Sequence, residues 1–408
     1  DSILAHRELG TMSGIDLMHP AFLLDPYPTY SKLRSLGSLV YYSPWELWLA
    51  TDYESCVDLL RSNDVGHGLQ ADYGKSRLST QTYLNELQKT WLLLHDPPTH
   101  TRLRLLMGDC FSPRRLDAIE LLVKSASDQL ITNACRLEDV DIMTNVATQL
   151  PILVIAELFG IPVSDRYLVA RWSSAIAATL EFSVNDDLLA AGSRAAFEFS
   201  QYLQDLISEK NRNPSNDLLS MLIHSTTSVE RLTEAELLSN CIMLIVAGHE
   251  TSINFLGNAI LALLKNPDQL NHLRANPGLV KVAIEELLRF DSPVQTTTRI
   301  VLRDIVYKGV DLKASSRVAF LLGSANHDSS VFASPELLLL SRDPNPHLSF
   351  SHGIHYCLGA YLARLEGRIL IQSLIEHSTE LTLLDNDPDF RKSWSARGLN
   401  RLNVRIRT

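Results

Sequence analysis

One helix constrains the fold of this chain more than any other feature of the sequence. Thr233 and Glu236 form a capping box, Thr-x-x-Glu, which predicts the start of a helix. The helical spacing of apolar residues continues from there to Leu264, just ahead of Pro267. About 31 residues at about 1.5 Å rise per residue give a length of roughly 46 Å, enough to cross a whole domain. The sequence therefore predicts a fold organised around one long helix.

The middle of this helix carries residues that a purely structural helix does not need. Residues 241–247 are apolar on every side, which predicts that they are buried. They run into Gly248, His249, Glu250 and Thr251. Glycine costs about 1 kcal/mol relative to alanine in a helix interior, and a buried carboxylate costs more unless it has a partner. Either the glycine packs closely and the carboxylate reaches water, or the segment is functional.

The rest of the chain is interpreted as mainly helical with a small β portion. Apolar spacing is mostly helical up to about residue 290, and no linker, charge block or repeat marks a boundary. We therefore expect a single domain covering residues 1–408. The remaining predicted elements are a short helix over 27–36 that stops at Gly37, a hairpin of strands 38–42 and 46–50, strands over 300–310 and 318–322, a helix over 358–376 and a hairpin over 395–406.

Composition excludes several classes of protein. The chain has 408 residues with 37 basic and 47 acidic side chains, a net charge of −10. The acid excess argues against a nucleic-acid binder, because phosphate contacts need clustered Lys and Arg. No apolar run reaches the roughly 18 residues of a membrane span, and the N-terminus lacks the pattern of a signal peptide. We therefore expect a cytoplasmic protein.

The five cysteines are scattered, without metal-ligand spacing or a disulfide framework, so a functional cysteine must act alone. Cys357 is the candidate, because it directly precedes a predicted helix whose N-terminus favours a thiolate. Gly353 and Gly359 allow the backbone to turn sharply around it. A buried, inert cysteine is one alternative. A nucleophilic pair with His355 is another, although residues two apart on a turn do not obviously bring imidazole to sulfur.

The segment 350–359 resembles the haem-binding signature of the cytochromes P450, F-x-x-G-x-H-x-C-x-G, in which the cysteine thiolate is a ligand of the haem iron. Three further family motifs occur in the family's order. They are D-P-P-x-H-x-R-x-R at residues 96–104, A-G-x-[DE]-T at Ala247, Gly248, Glu250 and Thr251, and E-x-x-R at Glu286 to Arg289. The chain as a whole resembles the bacterial soluble members of the family.

The resemblance implies the cytochrome P450 fold, a mainly α triangular prism with a small β region. Haem b would be buried between the long central helix and the cysteine-bearing loop. It also implies a haem-thiolate monooxygenase that activates dioxygen and hydroxylates or epoxidises a lipophilic small molecule, such as a polyketide, fatty acyl chain, terpenoid or other secondary metabolite. Oxidative coupling, dehydration, peroxide-driven chemistry and a non-enzymatic haem sensor are the alternatives. The intact Glu250–Thr251 pair counts against the dehydration, peroxide-driven and sensor alternatives.

The family's site residues carry over onto matching positions. Cys357 would be the iron ligand with Phe350 beside its sulfur, and Glu250 and Thr251 would deliver protons as an acid–alcohol pair. The other positions in contact with haem would be Ala247, Gly248 and Gly359, with His100, Arg104, Arg299 and His355 as donors to its propionates. Glu286 and Arg289 would have a structural role. Arg342 would be the third member of their group, with His347 as the less favoured candidate. The rival to this motif is an ordinary surface pair of Glu285 and Arg289, spaced i,i+4.

Substrate and partners follow from the same resemblance. The predicted substrate pocket comprises Met243, Ala247, Val294, Gln295, Thr296, Ala396 and the loop between Val65 and Thr90, a mixture of apolar and small polar side chains. We expect a monomer that receives electrons from a ferredoxin or flavodoxin and its NAD(P)H-dependent reductase. A basic patch of Arg102, Arg114 and Arg115 would dock the acidic redox protein on the cysteine side of the haem.

Two positions and the N-terminal segment depart from the family pattern or are variable within it. Ser351 stands where bacterial relatives usually have glycine, which changes the rigidity of the cysteine loop or a hydrogen bond near the sulfur. We interpret His249 as a packing or surface histidine, and a proton relay is the less favoured alternative. The first eleven residues, before Met12, resemble nothing in the family, and Met12 is a candidate for the natural start.

Overall fold

The computed structural model describes residues 14–68, 82–137, 139–181, 184–225, 230–385 and 387–408. The first eleven residues, Met12, and positions 69–81 of the predicted pocket loop lie outside the described residues. Two compact units make up the fold. The first comprises Asp1–Tyr73, Gly257–Cys357 and Asp385–Leu402, and the second Gly74–Leu256, Leu358–Leu384 and Asn403–Thr408. The single domain over the whole chain stays a prediction.

Helices dominate the described residues, as the sequence predicts. In chain order the α-helices are Pro20–Leu24, Tyr27–Leu36, Tyr53–Arg61, Tyr83–Gln88, Thr99–Gly108, Pro113–Leu116, Glu120–Leu137, Gln149–Leu158, Arg166–Ala177, Asp186–Arg212, Leu218–Ile223, Glu234–Lys265, Pro267–Ala275, Val280–Phe290, Leu322–Ala325 and Ala360–His377. The strands are β1 Leu39–Tyr42, β2 Leu47–Ala50, β3 Val65–Gly66, β4 Asp139–Asp141, β5 Thr296–Val301, β6 Ile305–Tyr307, β7 Val310–Leu312, β8 Arg317–Leu321, β9 Glu380–Leu383, β10 Asp389–Phe390, β11 Leu399–Arg401 and β12 Asn403–Arg407.

The long helix Glu234–Lys265 confirms the principal prediction. Both capping-box bonds form, from the Thr233 N–H to the Glu236 carboxylate at 2.9 Å and from the Glu236 N–H to the Thr233 hydroxyl at 3.2 Å. The helix runs for 32 residues and is followed by Asn266 and Pro267, which begins the next helix. Within the described residues, none of the helices combines the length and the apolar character that a membrane crossing requires.

The first unit is built on a five-stranded sheet in the order β1-β2-β8-β5-β3. β1 and β2 form the predicted antiparallel hairpin, β2 pairs with β8 in parallel, and β5 pairs antiparallel with β8 and β3. The helix Tyr53–Arg61 begins at Asp52, whose carboxylate accepts the Ser55 N–H at 2.7 Å. Its buried face joins the buried strand residues Val318 and Phe320 in one apolar core.

Two strand predictions are wrong, one over residues 300–310 and one at the end of the chain. The predicted strand 300–310 is interrupted after Val301, and a separate hairpin, β6 with β7, follows it. That hairpin turns at Lys308 and Gly309, whose φ angles of 47° and 81° suit a tight two-residue turn. The predicted terminal hairpin also fails, because Leu402 alone separates β11 from β12 and one residue cannot reverse the chain. β11 pairs with β10 instead, and β12 lies between β4 and β9.

The second unit is mostly helical, with the three-stranded sheet β4-β12-β9 at the chain end. The helix Glu120–Leu137 packs against Ala360–His377, and charged pairs flank the contact. Lys124 binds Glu376 at 2.8 Å and Arg368 binds Glu120 at 2.8 Å. The predicted helix over 358–376 therefore exists, but its first residue is Ala360, because Gly359 is the N-cap residue.

Candidate active site

The long helix changes character where the sequence predicts a functional segment. Every residue from 241 to 246 is buried, yet Ala247, the next residue, is exposed. A Cβ added at Gly248 would lie 3.4 Å from Ile155, an ordinary van der Waals contact, so the described residues leave room for a small side chain there. Thr251 turns its hydroxyl back along the helix and donates to the Ala247 carbonyl at 2.6 Å. Ala247, Gly248 and Thr251 thus form a partly exposed face of small residues that follows the buried stretch 241–246.

Two neighbouring residues of this segment contact two neighbouring serines of the helix Arg166–Ala177. The Ser174 hydroxyl donates to the Glu250 carboxylate at 2.5 Å. The His249 ring lies 3.3 Å from the Ser173 hydroxyl and is almost completely buried. His249 is therefore placed as a packing histidine. Sequence reasoning did not find either serine, because nothing local distinguishes them from other helical serines.

The loop that carries Cys357 is closed by its own backbone. The Cys357 N–H donates to the Phe350 carbonyl at 3.0 Å, and the Tyr356 N–H donates to the Gly353 carbonyl at 3.1 Å. Phe350 is buried, at 7% exposure, whereas Cys357 is half-buried. The loop therefore presents the sulfur at its surface on a fixed backbone.

Two residues of this loop have left-handed backbone. Gly353 has a φ of 73°, and a Cβ there would collide with the Leu60 carbonyl oxygen. Only glycine suits that position. Ser351 has a φ of 62°, which costs a residue with a Cβ about 1–2 kcal/mol. The departure at Ser351 therefore puts a side chain where the backbone geometry itself favours glycine.

The predicted propionate donors are buried or half-buried cations and imidazoles. Arg299, on β5, is 5% exposed and donates to the Thr297 hydroxyl and the Thr298 carbonyl at 2.8 and 2.9 Å. His100 is 3% exposed and Arg104 is half-buried, and both lie on the helix Thr99–Gly108. Guanidinium and imidazole groups are donors of the kind that carboxylates bind, so each of these residues by itself suits a haem propionate.

Comparison with known proteins decides the family. The cytochrome P450 family profile matches residues 182–399. The chain is 35% identical to the biotin biosynthesis cytochrome P450 of Bacillus subtilis (strain 168), over 94% of this chain and 96% of that protein. It is 37% identical to vitamin D(3) 25-hydroxylase of Pseudonocardia autotrophica, over 95% of this chain and 96% of that protein. The chain belongs to the cytochrome P450 family.

Solved structures agree with the sequence comparison. P450BioI in complex with acyl carrier protein carrying hexadec-9Z-enoic acid has a TM-score of 0.89 and 34% identity, covering 95% of this chain and 99% of that one. The mainly α fold with small sheets is therefore the cytochrome P450 fold. As a member of this family the protein is a haem-thiolate monooxygenase with haem b as its cofactor.

The E-x-x-R motif of this P450 forms a buried ion network. Arg289 donates to both carboxylate oxygens of Glu286, at 2.7 and 2.8 Å, and neither side chain is exposed. Arg342 donates to Glu286 at 3.0 Å and Asn345 donates at 3.0 Å. Glu285, the rival partner, lies at 3.0 Å from His347 instead. Sequence reasoning missed Asn345, for which no local signal exists.

The structure brings four predicted pocket residues of this P450 together in the first unit. Val294 and Ala396 form an isolated antiparallel bridge. The N–H groups of Gln295 and Thr296 donate to the Ser395 carbonyl at 2.8 and 3.3 Å. The Gln295 side chain is buried and donates to Ser292 at 2.8 Å. Two other predicted pocket residues, Met243 and Ala247, lie on the second-unit part of the long helix, where Met243 is buried.

The three arginines of the predicted docking patch differ in their surroundings. Arg102 forms an ion pair with Glu236 and a second one with Glu230 at 3.6 Å. Arg114 and Arg115 are exposed. The charge of Arg102 is therefore largely compensated within the protein, which leaves Arg114 and Arg115 as the better candidates for contact with an acidic partner.

A buried carboxyl group next to the acid–alcohol pair was missed altogether. Glu366 is 2% exposed, and burial raises the pKa of its carboxyl to about 8, while a hydrogen bond with Ser252 opposes that rise. Among the described residues its Oε2 atom has no hydrogen-bond partner. A signal was present in the sequence, because Glu366 interrupts the apolar helix face formed by Leu362, Leu365, Ile369 and Leu370.

Proposed function

We propose that this P450 hydroxylates or epoxidises a lipophilic small molecule, a polyketide or fatty acyl chain, with electrons from a separate redox protein. The observation that carries the site assignment is the closed loop 350–357, which fixes Cys357 on a rigid backbone with its thiol half-exposed. No other cysteine in the chain lies in such a loop. The remaining four belong to helices or helical turns, and three of these are buried.

In this proposal Cys357 is the thiolate ligand of the haem iron, which supplies dioxygen activation when haem is bound. The Phe350 ring excludes water from the sulfur, and the Cys357 N–H is already engaged with the Phe350 carbonyl. Charge-assisted donors would hold the haem carboxylates, namely Arg299, His355, His100 and Arg104. Ala247, Gly248 and Gly359 leave room for a large planar group, because none of them carries a side chain beyond Cβ.

Glu250 and Thr251 hold and move the protons that the reaction consumes. Thr251 keeps its hydroxyl hydrogen in the bond to the Ala247 carbonyl, so its oxygen lone pairs are available to accept a hydrogen bond. Glu250 is half-buried, and its carboxylate accepts a hydrogen bond from the exposed Ser174. A carboxyl group between water and the protein interior can take up a proton on one side and release it on the other.

The substrate class rests on the pocket residues and on the relatives. The residues predicted for the pocket mix apolar side chains with a few polar groups, which suits a lipophilic molecule with few polar groups. They are Met243, Ala247, Val294, Gln295, Thr296 and Ala396. Similar proteins include a vitamin D(3) 25-hydroxylase and P450BioI, which was solved in complex with an acyl-loaded carrier protein. We also propose a cytoplasmic location, for which the support is the odd, scattered set of five cysteines in the sequence.

The thiolate assignment is tested by replacing Cys357 with serine. The purified wild-type protein should show a strongly red-shifted Soret band when reduced under carbon monoxide, and Cys357→Ser should lose that band because serine is not a thiolate donor. Cys135→Ser is the matched control, since Cys135 is also half-buried and bonds only a backbone carbonyl at 3.6 Å. A red-shifted band that survives in Cys357→Ser and disappears in Cys135→Ser would contradict the assignment.

We further propose that Arg114 and Arg115 dock the acidic redox protein, a ferredoxin or flavodoxin. Replacing both with glutamine should slow reduction by an acidic ferredoxin about tenfold at low salt and flatten the salt dependence of the rate, because electrostatic steering is lost. Arg102→Gln is the comparison, since Arg102 is already paired with Glu236. Stopped-flow reduction at several salt concentrations measures both effects. Equal rates and equal salt slopes for wild type and the double variant would exclude this surface.

A further inference from the structure

The residues that connect Glu250 to water are not identified by the family resemblance. In the structure the helix Arg166–Ala177 contacts Glu250 through Ser174. The Ser174 hydroxyl donates a hydrogen bond to the Glu250 carboxylate. Ser174 itself is exposed to solvent, whereas Glu250 is half-buried.

The neighbouring serine provides a built-in contrast. Ser173 lies one residue earlier on the same helix and contacts His249, one residue before Glu250. Both Ser173 and His249 are buried, at 0% and 1% exposure, so this contact has no access to water. Two adjacent serines therefore make two parallel contacts with the long helix, of which only the Ser174 contact joins solvent to a carboxylate.

We propose that Ser174 is a proton-relay residue through which protons pass from solvent to Glu250. This inference rests on the proposed role of Glu250 as the proton-delivering acid. In the step itself a solvent water or hydronium gives a proton to Ser174 Oγ, and the original Oγ–H bond breaks as its proton moves to Glu250 Oε1. The serine ends as it began, and the net change is one proton transferred from bulk water to the carboxylate.

The experiment uses the haem-loaded enzyme with hexadec-9Z-enoic acid as probe, a ferredoxin system and three single variants. Ser174→Ala should raise the peroxide released per NADH consumed about tenfold and increase the solvent isotope effect, because proton entry slows. Ser174→Thr, which restores a hydroxyl, should return both values close to wild type. Ser173→Ala is the control and should leave both unchanged.

A double-mutant comparison provides a readout that is independent of activity. Ser174→Ala should lower the melting temperature through loss of its bond to Glu250. That fall should shrink or vanish when Glu250 is already alanine, because the two side chains share one interaction. Additive falls would overturn the inference, as would an unchanged peroxide ratio in Ser174→Ala.

The failure of this inference can be told apart from a failure of the proposed function. If Glu250→Ala and Thr251→Ala both raise peroxide release while Ser174→Ala does not, protons reach Glu250 by another route and only the role of Ser174 is wrong. If Glu250→Ala has no effect on peroxide release, the proposed acid is wrong and the role of Ser174 falls with it.

Discussion

Replacing Glu286 with alanine should lower the free energy of unfolding by about 3–5 kcal/mol, because it leaves two guanidinium groups without their shared carboxylate in a buried site. Arg289 has no exposed surface and Arg342 has a side-chain exposure of only 8%. Neither cation can reach water without moving the segments around it. Urea unfolding of the haem-loaded protein, followed by far-UV circular dichroism, measures the change.

Glu285→Ala is the matched control, one residue away on the same helix. Its carboxylate contacts His347 at 3.0 Å but is 27% exposed, so its loss should cost less than about 1 kcal/mol. Equal losses for the two variants would mean that Glu286 is not the centre of the network. A milder variant, Glu286→Gln, keeps one acceptor oxygen and should fall between the two, which guards against a Glu286→Ala protein that does not fold.

The network also connects distant parts of the first unit. Arg289 donates to the carbonyls of Asn326, Pro335 and Leu337 at 2.8, 2.9 and 3.1 Å, while the Leu339 N–H donates to Glu286 at 2.9 Å. The chain between these carbonyls has little regular structure, so the arginine replaces the backbone ladder that a sheet or helix would provide. The residues that follow lead directly into the loop of Phe350.

Features encoded by neighbouring residues were predictable from the sequence. The long helix follows from the capping box at Thr233 and from continuous apolar spacing, and both describe contacts within a few residues. The segment with Cys357 is likewise contiguous. Its glycine at 353 has a left-handed backbone that no other residue type adopts as easily.

Contacts between distant residues were not predictable. Asn345 and Glu286 are 59 positions apart, and Arg102 and Glu236 are 134 apart, so no local pattern pairs them. Strand β12 illustrates the same limit. The sequence of this strand alternates polar and apolar residues, and the structure buries the apolar ones. The sequence could not show that the strand pairs with β4 and β9 instead of β11. Local pattern predicts an element, while tertiary packing chooses its partner.

Glu366 should make the stability of this P450 fall as pH rises from about 4.5 to about 8. The carboxyl has a pKa of 4.5 when unfolded and about 8 when folded, so in this window only the folded state holds the proton. Unfolding then releases a proton, and the free energy of unfolding falls by about 1.4 kcal/mol per pH unit. Over the whole window the loss is about 5 kcal/mol, and it is absent below the lower pKa.

The variant Glu366→Gln should remove this dependence, because glutamine keeps the size and hydrogen-bonding capacity of a neutral carboxyl but does not titrate. Between pH 5.5 and pH 8 the wild type should lose about 3 kcal/mol relative to Glu366→Gln, as measured by urea unfolding at each pH. Other titrating groups cancel in this difference, and besides burial only the bond to Ser252 acts on the carboxyl pKa.

Glu376→Gln is the control on the same helix. Glu376 is 42% exposed, and hydrogen bonding to Lys124 lowers the pKa of its carboxyl, so its stability contribution does not fall with rising pH in this window. The prediction fails if wild type and Glu366→Gln differ by the same free energy at pH 5.5 and at pH 8, since Glu366 would then be ionised in the folded protein at both values. That result would require a cation or ordered water at the Glu366 Oε2 atom, which the described residues do not provide.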